Sequence, residues 1–160
     1  MDKILINDSL KICFPDSFHV MSKEERAEVN NKTGDRGICL KAPDLHIIIS
    51  IAWVRVDGIR GVFSRLFRGK DPVKNAESFY KKKMKAYGYK TEQYLKYQIG
   101  GTDAEGLRYS YLAQGIDMMG ETCSLKKDRV LYYFHCYYRA QQLTESQDVW
   151  KTILDSAQWE

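Results

Sequence analysis

The residues most able to do chemistry in this chain are three histidines, His19, His46 and His135, and four cysteines, Cys13, Cys39, Cys123 and Cys136. Nucleophilic catalysis needs a thiol or hydroxyl activated by a neighbouring base, with a third group to orient that base. His135 and Cys136 are adjacent, but consecutive side chains of a strand point to opposite faces, so the pair reads as two interior positions of one buried strand. His46, beside Leu45 and Ile47, reads as a histidine hydrogen-bonded at a sheet end. His19 follows the Pro15 turn and reads as exposed. No two cysteines have zinc-ligand spacing. Three of the four lie in apolar runs, where cysteine behaves as a small hydrophobe. Reduced thiols in a cytoplasmic protein are the expectation.

The acids add no catalytic pattern. Asp103 and Glu105 decorate a turn, and Glu24, Glu25 and Glu28 form the solvated face of a short helix. Neither an H-E-x-x-H pair nor an EF-hand loop is present. The turns at Gly34–Gly37 and Gly100–Gly101 lack the strand-to-helix context of a phosphate cradle. Catalytic, cofactor and metal sites are therefore all expected to be absent.

One segment stands apart as a candidate for interaction. Between Asp57 and Asp71, the cations Arg60, Arg65, Arg68 and Lys70 interleave with Ile59, Val62, Phe63, Leu66 and Phe67, and no acid interrupts them. A helical turn over Val62–Arg68 would gather Val62, Phe63, Leu66 and Phe67 on one side and the arginines on the other. That is the pattern of a surface-seeking amphipathic segment. The candidate contact residues are Arg60, Phe63, Arg65, Leu66, Phe67, Arg68 and Lys70. The competing reading is a long connection whose apolar side chains tuck onto the domain edge.

The elements that must position these residues follow from pattern. At 160 residues, 44% apolar and 29% charged, the chain has the size and composition of one globular domain over residues 1–160. A formal charge of +4 is too mild for a dedicated nucleic-acid binder. Neither a secretory signal nor an apolar run long enough to span a bilayer is seen, which is the basis of the cytoplasmic expectation.

Leu10–Phe14 reads as a strand, and Ser22 with Glu25 as a capping box opening a helix over Lys23–Val29. Ile38–Lys41 and Leu45–Val56 read as strands, the second apolar on both parities and so central in its sheet. Asp71–Tyr87 changes to helical period, with Ala76, Phe79, Tyr80, Met84 and Tyr87 as its apolar stripe and Gly88 as its left-handed stop. Four strands follow, Tyr89–Ile99, Ala104–Gln114, Ile116–Leu125 and Arg129–Tyr138, with connections short enough for a meander. Thr144 and Gln147 read as a second capping box, for a helix that presents Val149, Trp150, Ile153 and Ala157. Strands and helices are segregated, which predicts an α+β fold, a mainly antiparallel sheet covered by helices on both faces.

Four short motifs resemble the PsbP-like superfamily, which includes the photosystem II extrinsic subunit and the Ran-binding nuclear import factor. They are Phe14-Pro15-Asp16-Ser17-Phe18 at the entry, a helix running into Gly88-Tyr89, Gly106-Leu107-Arg108-Tyr109, and a closing helix that ends on Asp155-Ser156. Phe18 stands where Trp is more usual, and Ala157 replaces the common Phe. The resemblance implies an α/β/α sandwich used mainly to bind other proteins, and it carries over no metal-binding or Ran-contacting residue.

Function is therefore read as a non-catalytic interaction or accessory domain with a protein partner. Two alternatives stand beside it. One is a small-ligand-binding domain or hydrolase with a cleft lined by tyrosines such as Tyr109, Tyr111, Tyr133 and Tyr137. The other is weak association with anionic lipid or nucleic acid through the basic loop.

Overall fold

A computed structural model describes residues 1–31, 33–56 and 71–160. Its elements run β1 (Asp2–Ile6), β2 (Leu10–Phe14), β3 (His19–Val20), α1 (Lys23–Glu28), β4 (Gly37–Ala42) and β5 (Ile47–Arg55). After these come α2 (Pro72–Lys83), β6 (Lys90–Ile99), β7 (Thr102–Ala113), β8 (Ile116–Lys127), β9 (Val130–Arg139), α3 (Leu143–Asp155) and β10 (Gln158–Trp159).

The expected meander is present from β6 to β9. Its three hairpins turn on residue pairs with both φ values positive: Gly100-Gly101 (58° and 77°), Gln114-Gly115 (50° and 76°) and Asp128-Arg129 (50° and 63°). Two-residue turns of this mirror-image type match the right-handed twist of the strands they join. The meander extends into a seven-stranded antiparallel sheet in the order β3-β4-β5-β9-β8-β7-β6. A second sheet, β1-β2-β10, joins the two ends of the chain.

Alternation along the strands gives the large sheet two different faces. One face presents Ile49, Ile51, Cys123, Phe134, Cys136 and Tyr138, and packs with Trp150, Ile153 and Leu154 of α3 and with Ile6, Leu10, Ile12 and Phe14 of the small sheet. The other face presents Leu107, Tyr109 and His135, covered by Val73, Tyr80 and Met84 of α2. Helices thus cover both faces, as expected, and the small sheet shares one face with α3.

Local signals decide where the helices begin. Ser22 caps α1 by accepting a hydrogen bond from the Glu25 amide at 3.1 Å, and Asp71 caps α2 through the Val73 amide at 2.9 Å, with Pro72 in the first turn. Gly88 adopts φ 68° after a 3-10 turn over Lys85–Tyr87. The second expected capping box does not form. A 3-10 turn over Ala140–Gln142 runs directly into α3, so Thr144 lies inside the first turn.

The stripe expected on α2 is also corrected. Phe79 is 57% exposed and Tyr87 is 50% exposed. The inward row is Val73, Tyr80 and Met84, spaced at 7 and 4 residues, so the helix is rotated away from the face that Phe79 would have shared. None of the described helices is long and apolar enough to cross a membrane.

Candidate functional site

The sequence-nominated histidines and cysteines do not converge. His135, in the middle of β9, is buried beneath α2. The Tyr80 hydroxyl lies 2.6 Å from its Nδ1, the Tyr109 hydroxyl lies 3.0 Å from its Nε2, and Tyr137 stacks on the ring at 4.1 Å. Burial, with a smaller push from the Lys83 charge, drops the His135 pKa to about 3. The ring is neutral near pH 7, so it donates through one nitrogen and accepts through the other.

Cys136 lies on the opposite face, and burial raises its thiol pKa well above the ordinary value. Burial also raises the Cys39 and Cys123 pKa values. None of these groups has the accessibility or the near-neutral pKa of an acid–base or thiolate catalyst. His19 is exposed as expected and pairs with Glu25 at 2.9 Å. His46 departs from expectation: it is exposed, precedes β5 rather than lying in it, and adopts φ 54°.

Of the tyrosines proposed for an aromatic cleft, Tyr109 fills a core with Tyr111 packed against it, while Tyr133 and Tyr137 are half-buried. Tyr109 is fully buried, with Tyr80 and Tyr89 stacked on it at 5.1 and 5.2 Å and Tyr111 tilted against it at 5.7 Å. Among the described residues, no group of three or more His, Cys, Asp or Glu side chains is placed to hold a metal ion. The basic-loop residues Arg60, Phe63, Arg65, Leu66, Phe67, Arg68 and Lys70 lie outside the described residues.

The structure builds a different site, one that the sequence reading missed. A groove of about 480 Å³ runs between α3 and the edge strand β6. At its floor is Glu121, only 2% exposed. Its Oε1 accepts from the Tyr97 hydroxyl at 2.9 Å and lies 3.5 Å from Arg108 Nη2, while its Oε2 accepts from the Tyr138 hydroxyl at 2.7 Å. Arg108 also donates to Gln93 Oε1 at 3.1 Å, and to Gln147 at 3.0 Å when that amide turns its oxygen toward the guanidinium.

Burial and the Glu121 charge both raise the pKa values of Tyr97 and Tyr138, keeping the two hydroxyls protonated as donors. A smaller groove of about 260 Å³, lined by Lys96, Tyr97, Gln98, Asp103, Ala104 and Glu105, shares three β6 residues with the first. The one sequence signal for this site was the single charged residue, Glu121, in the otherwise uncharged run Met118–Leu125.

With this geometry in hand, likeness to known proteins lies in structure alone. Neither a family model nor a curated protein sequence matches the chain. Among solved structures, the cyanobacterial PsbP protein CyanoP from Synechocystis sp. PCC 6803 superposes at TM-score 0.65 with 9% identity, over 99% of this chain and 92% of that one. The fold is PsbP-like. The Ran-binding protein Mog1p of Saccharomyces cerevisiae superposes at 0.57 with 8% identity, over 98% of this chain and 93% of that one. LpqN of Mycobacterium tuberculosis, involved in cell-envelope biogenesis, superposes at 0.53 with 14% identity, over 94% of this chain and 82% of that one.

In this PsbP-like chain the resembling motifs serve packing. A Cβ on Gly106 would come within 1.8 Å of the Thr122 carbonyl, and one on Gly120 within 2.3 Å of the Tyr109 ring, so both positions need glycine for close approach. The closing motif meets the residue just before the entry motif, since Ser156 Oγ accepts from the Cys13 amide at 2.8 Å.

Proposed function

We propose that residues 1–160 form one non-catalytic accessory domain that binds a protein partner, taking an extended segment of it along the open edge of β6. The observation that carries this reading is that edge. β6 has ten residues and, among the described residues, pairs with β7 alone, so its outer side is open to strand addition. A bulge between Thr91 and Gln93 interrupts its first part, whereas the regular part from Gln93 to Ile99 borders both grooves. Side chains of an added strand alternate between faces, so every second one would enter the groove floored by Arg108 and Glu121.

The closed state of His135 and the buried thiols supports a binding role over a catalytic one. The Ran-binding description of Mog1p makes a protein partner the natural extension of the shared fold. Four free cysteines, three of them buried, accord with a cytoplasmic setting. The loop bearing Arg65 and Phe67 is proposed, on its sequence, as a second contact.

Peptides selected from a displayed random library against the purified protein test this reading. On binding they should protect the amides of Tyr94–Ile99 from hydrogen exchange. Protection confined to other elements, or failure to select any peptide, would sink it. Selection unchanged by replacing the loop's arginines and phenylalanines would remove the loop from the contact.

A further inference from the structure

α2 fully buries only Val73 and turns much of its surface outward. Between Val73 and Gly88 the chain carries five lysines, Lys74, Lys81, Lys82, Lys83 and Lys85, against the single acid Glu77. All five are exposed, and among the described residues none lies within ion-pair distance of a carboxylate. Glu77 is held down toward β6 by the Thr91 and Tyr94 hydroxyls, both at 2.6 Å. Amid the lysines, Phe79 projects at 57% exposure and Tyr87 at 50%, and the Lys83 ammonium lies 5.7 Å from the Phe79 ring centroid.

Three physical features select the partner for this face. Its cations are all lysines, compact and strongly hydrated, a type depleted from protein–protein interfaces because burying it strips that hydration. In a headgroup layer they stay wet. Its aromatic rings protrude from a convex helix, and neither described groove touches α2. A protein hot spot needs a pocket for such a ring, whereas the acyl boundary of a bilayer admits it anywhere. Against a hydrated nucleic-acid backbone an exposed phenylalanine gains little. We infer that the lysine–aromatic face of α2 docks on the surface of an anionic phospholipid bilayer. This face adjoins the first part of β6 through Glu77 but borders neither groove, and the lysine variants leave Gln93–Ile99 unaltered, so either surface can fail its own test.

Co-sedimentation with phosphatidylcholine vesicles, with and without phosphatidylglycerol, tests the inference. The protein should sediment with the mixed vesicles alone, and should be released at about 1 M salt, where the screening length is about 3 Å. Each lysine near such a surface is worth about five-fold in partitioning, so Lys81→Gln, Lys82→Gln and Lys85→Gln together should weaken it roughly 100-fold. Phe79→Ser should weaken it about a further five-fold. Replacing Arg65 and Arg68 by Gln should leave binding that the triple lysine variant lacks. Equal binding to neutral vesicles, no binding at low salt, or a triple variant that binds like the parent would overturn the inference. So would retention of duplex DNA without vesicle binding.

Discussion

Two buried polar clusters, one on each face of the same sheet, have opposite characters. Under α2, His135 is uncharged and roofed by tyrosines, and its two nitrogens are spent on holding Tyr80 and Tyr109 in place. Beside α3, Glu121 and Arg108 are an acid and a base 3.5 Å apart, on the floor of a groove open to solvent. The first cluster shows how a chemically versatile residue is made inert, through desolvation and full use of its lone pair and proton. The second shows the condition under which charge survives in an interior: a counter-charge, hydroxyl donors and a path to water.

That contrast can be broken most forcefully at Glu121. Glu121→Ala leaves the Arg108 charge and two tyrosine hydroxyls without their partner. It should cost about 4 kcal/mol in urea unfolding, much of it regained when Arg108→Met is added. An additive double variant would show that the two charges do not depend on each other.

Acid probes the opposite cluster. The folded His135 pKa of about 3 lies below the 6.5 of the unfolded chain, so the unfolded state takes up the proton first. Stability is full above pH 6.5 and falls as the pH drops toward 3. By pH 4 the loss from this residue should be about 3 kcal/mol. Unfolding curves of the parent and of His135→Gln, compared from pH 7 to pH 4, isolate it. Parallel pH profiles would show that the ring is protonated while folded.

Tyr80→Phe removes one hydroxyl from the same cluster and keeps the ring, for an expected loss of about 1 kcal/mol in the unfolding midpoint. Phe79→Ala, one position away, should change stability by less than about 0.5 kcal/mol, because its side chain faces outward. If Phe79 proved the costlier of the two, the orientation of α2 described above would be wrong.

The fold was legible because its signals are local. Alternation, glycine-bearing turns and the Ser22 and Pro72 helix starts each occupy a few consecutive residues. The opposite placement of His135 and Cys136 needed nothing beyond strand geometry. The orientation of α2 was not legible, since Phe79 and Tyr80 are neighbours of similar apolarity and only the packing of Val73 and Met84 on β7 chooses between them. His46 went astray because a left-handed residue interrupts the chain just before β5, where the surrounding composition is that of a strand.

The groove was hidden for a stronger reason. Tyr97, Arg108, Glu121, Tyr138 and Gln147 belong to five different elements, and only the register of β6 through β9 and the docking of α3 bring them together. A single glutamate among methionines, glycine and cysteine was the visible trace of that network.

The pairing of β2 with β10 carries a consequence for biosynthesis. Lys11 and Glu160, bridged at 3.0 Å, are separated by 149 positions along the chain. Once β9 is free, the meander can zip through its tight turns, yet one face of it must wait for α3 and β10, which follow it in the chain. Newly made chains therefore pass through a stage with a finished sheet and a bare apolar side, the stage at which a chaperone would find them.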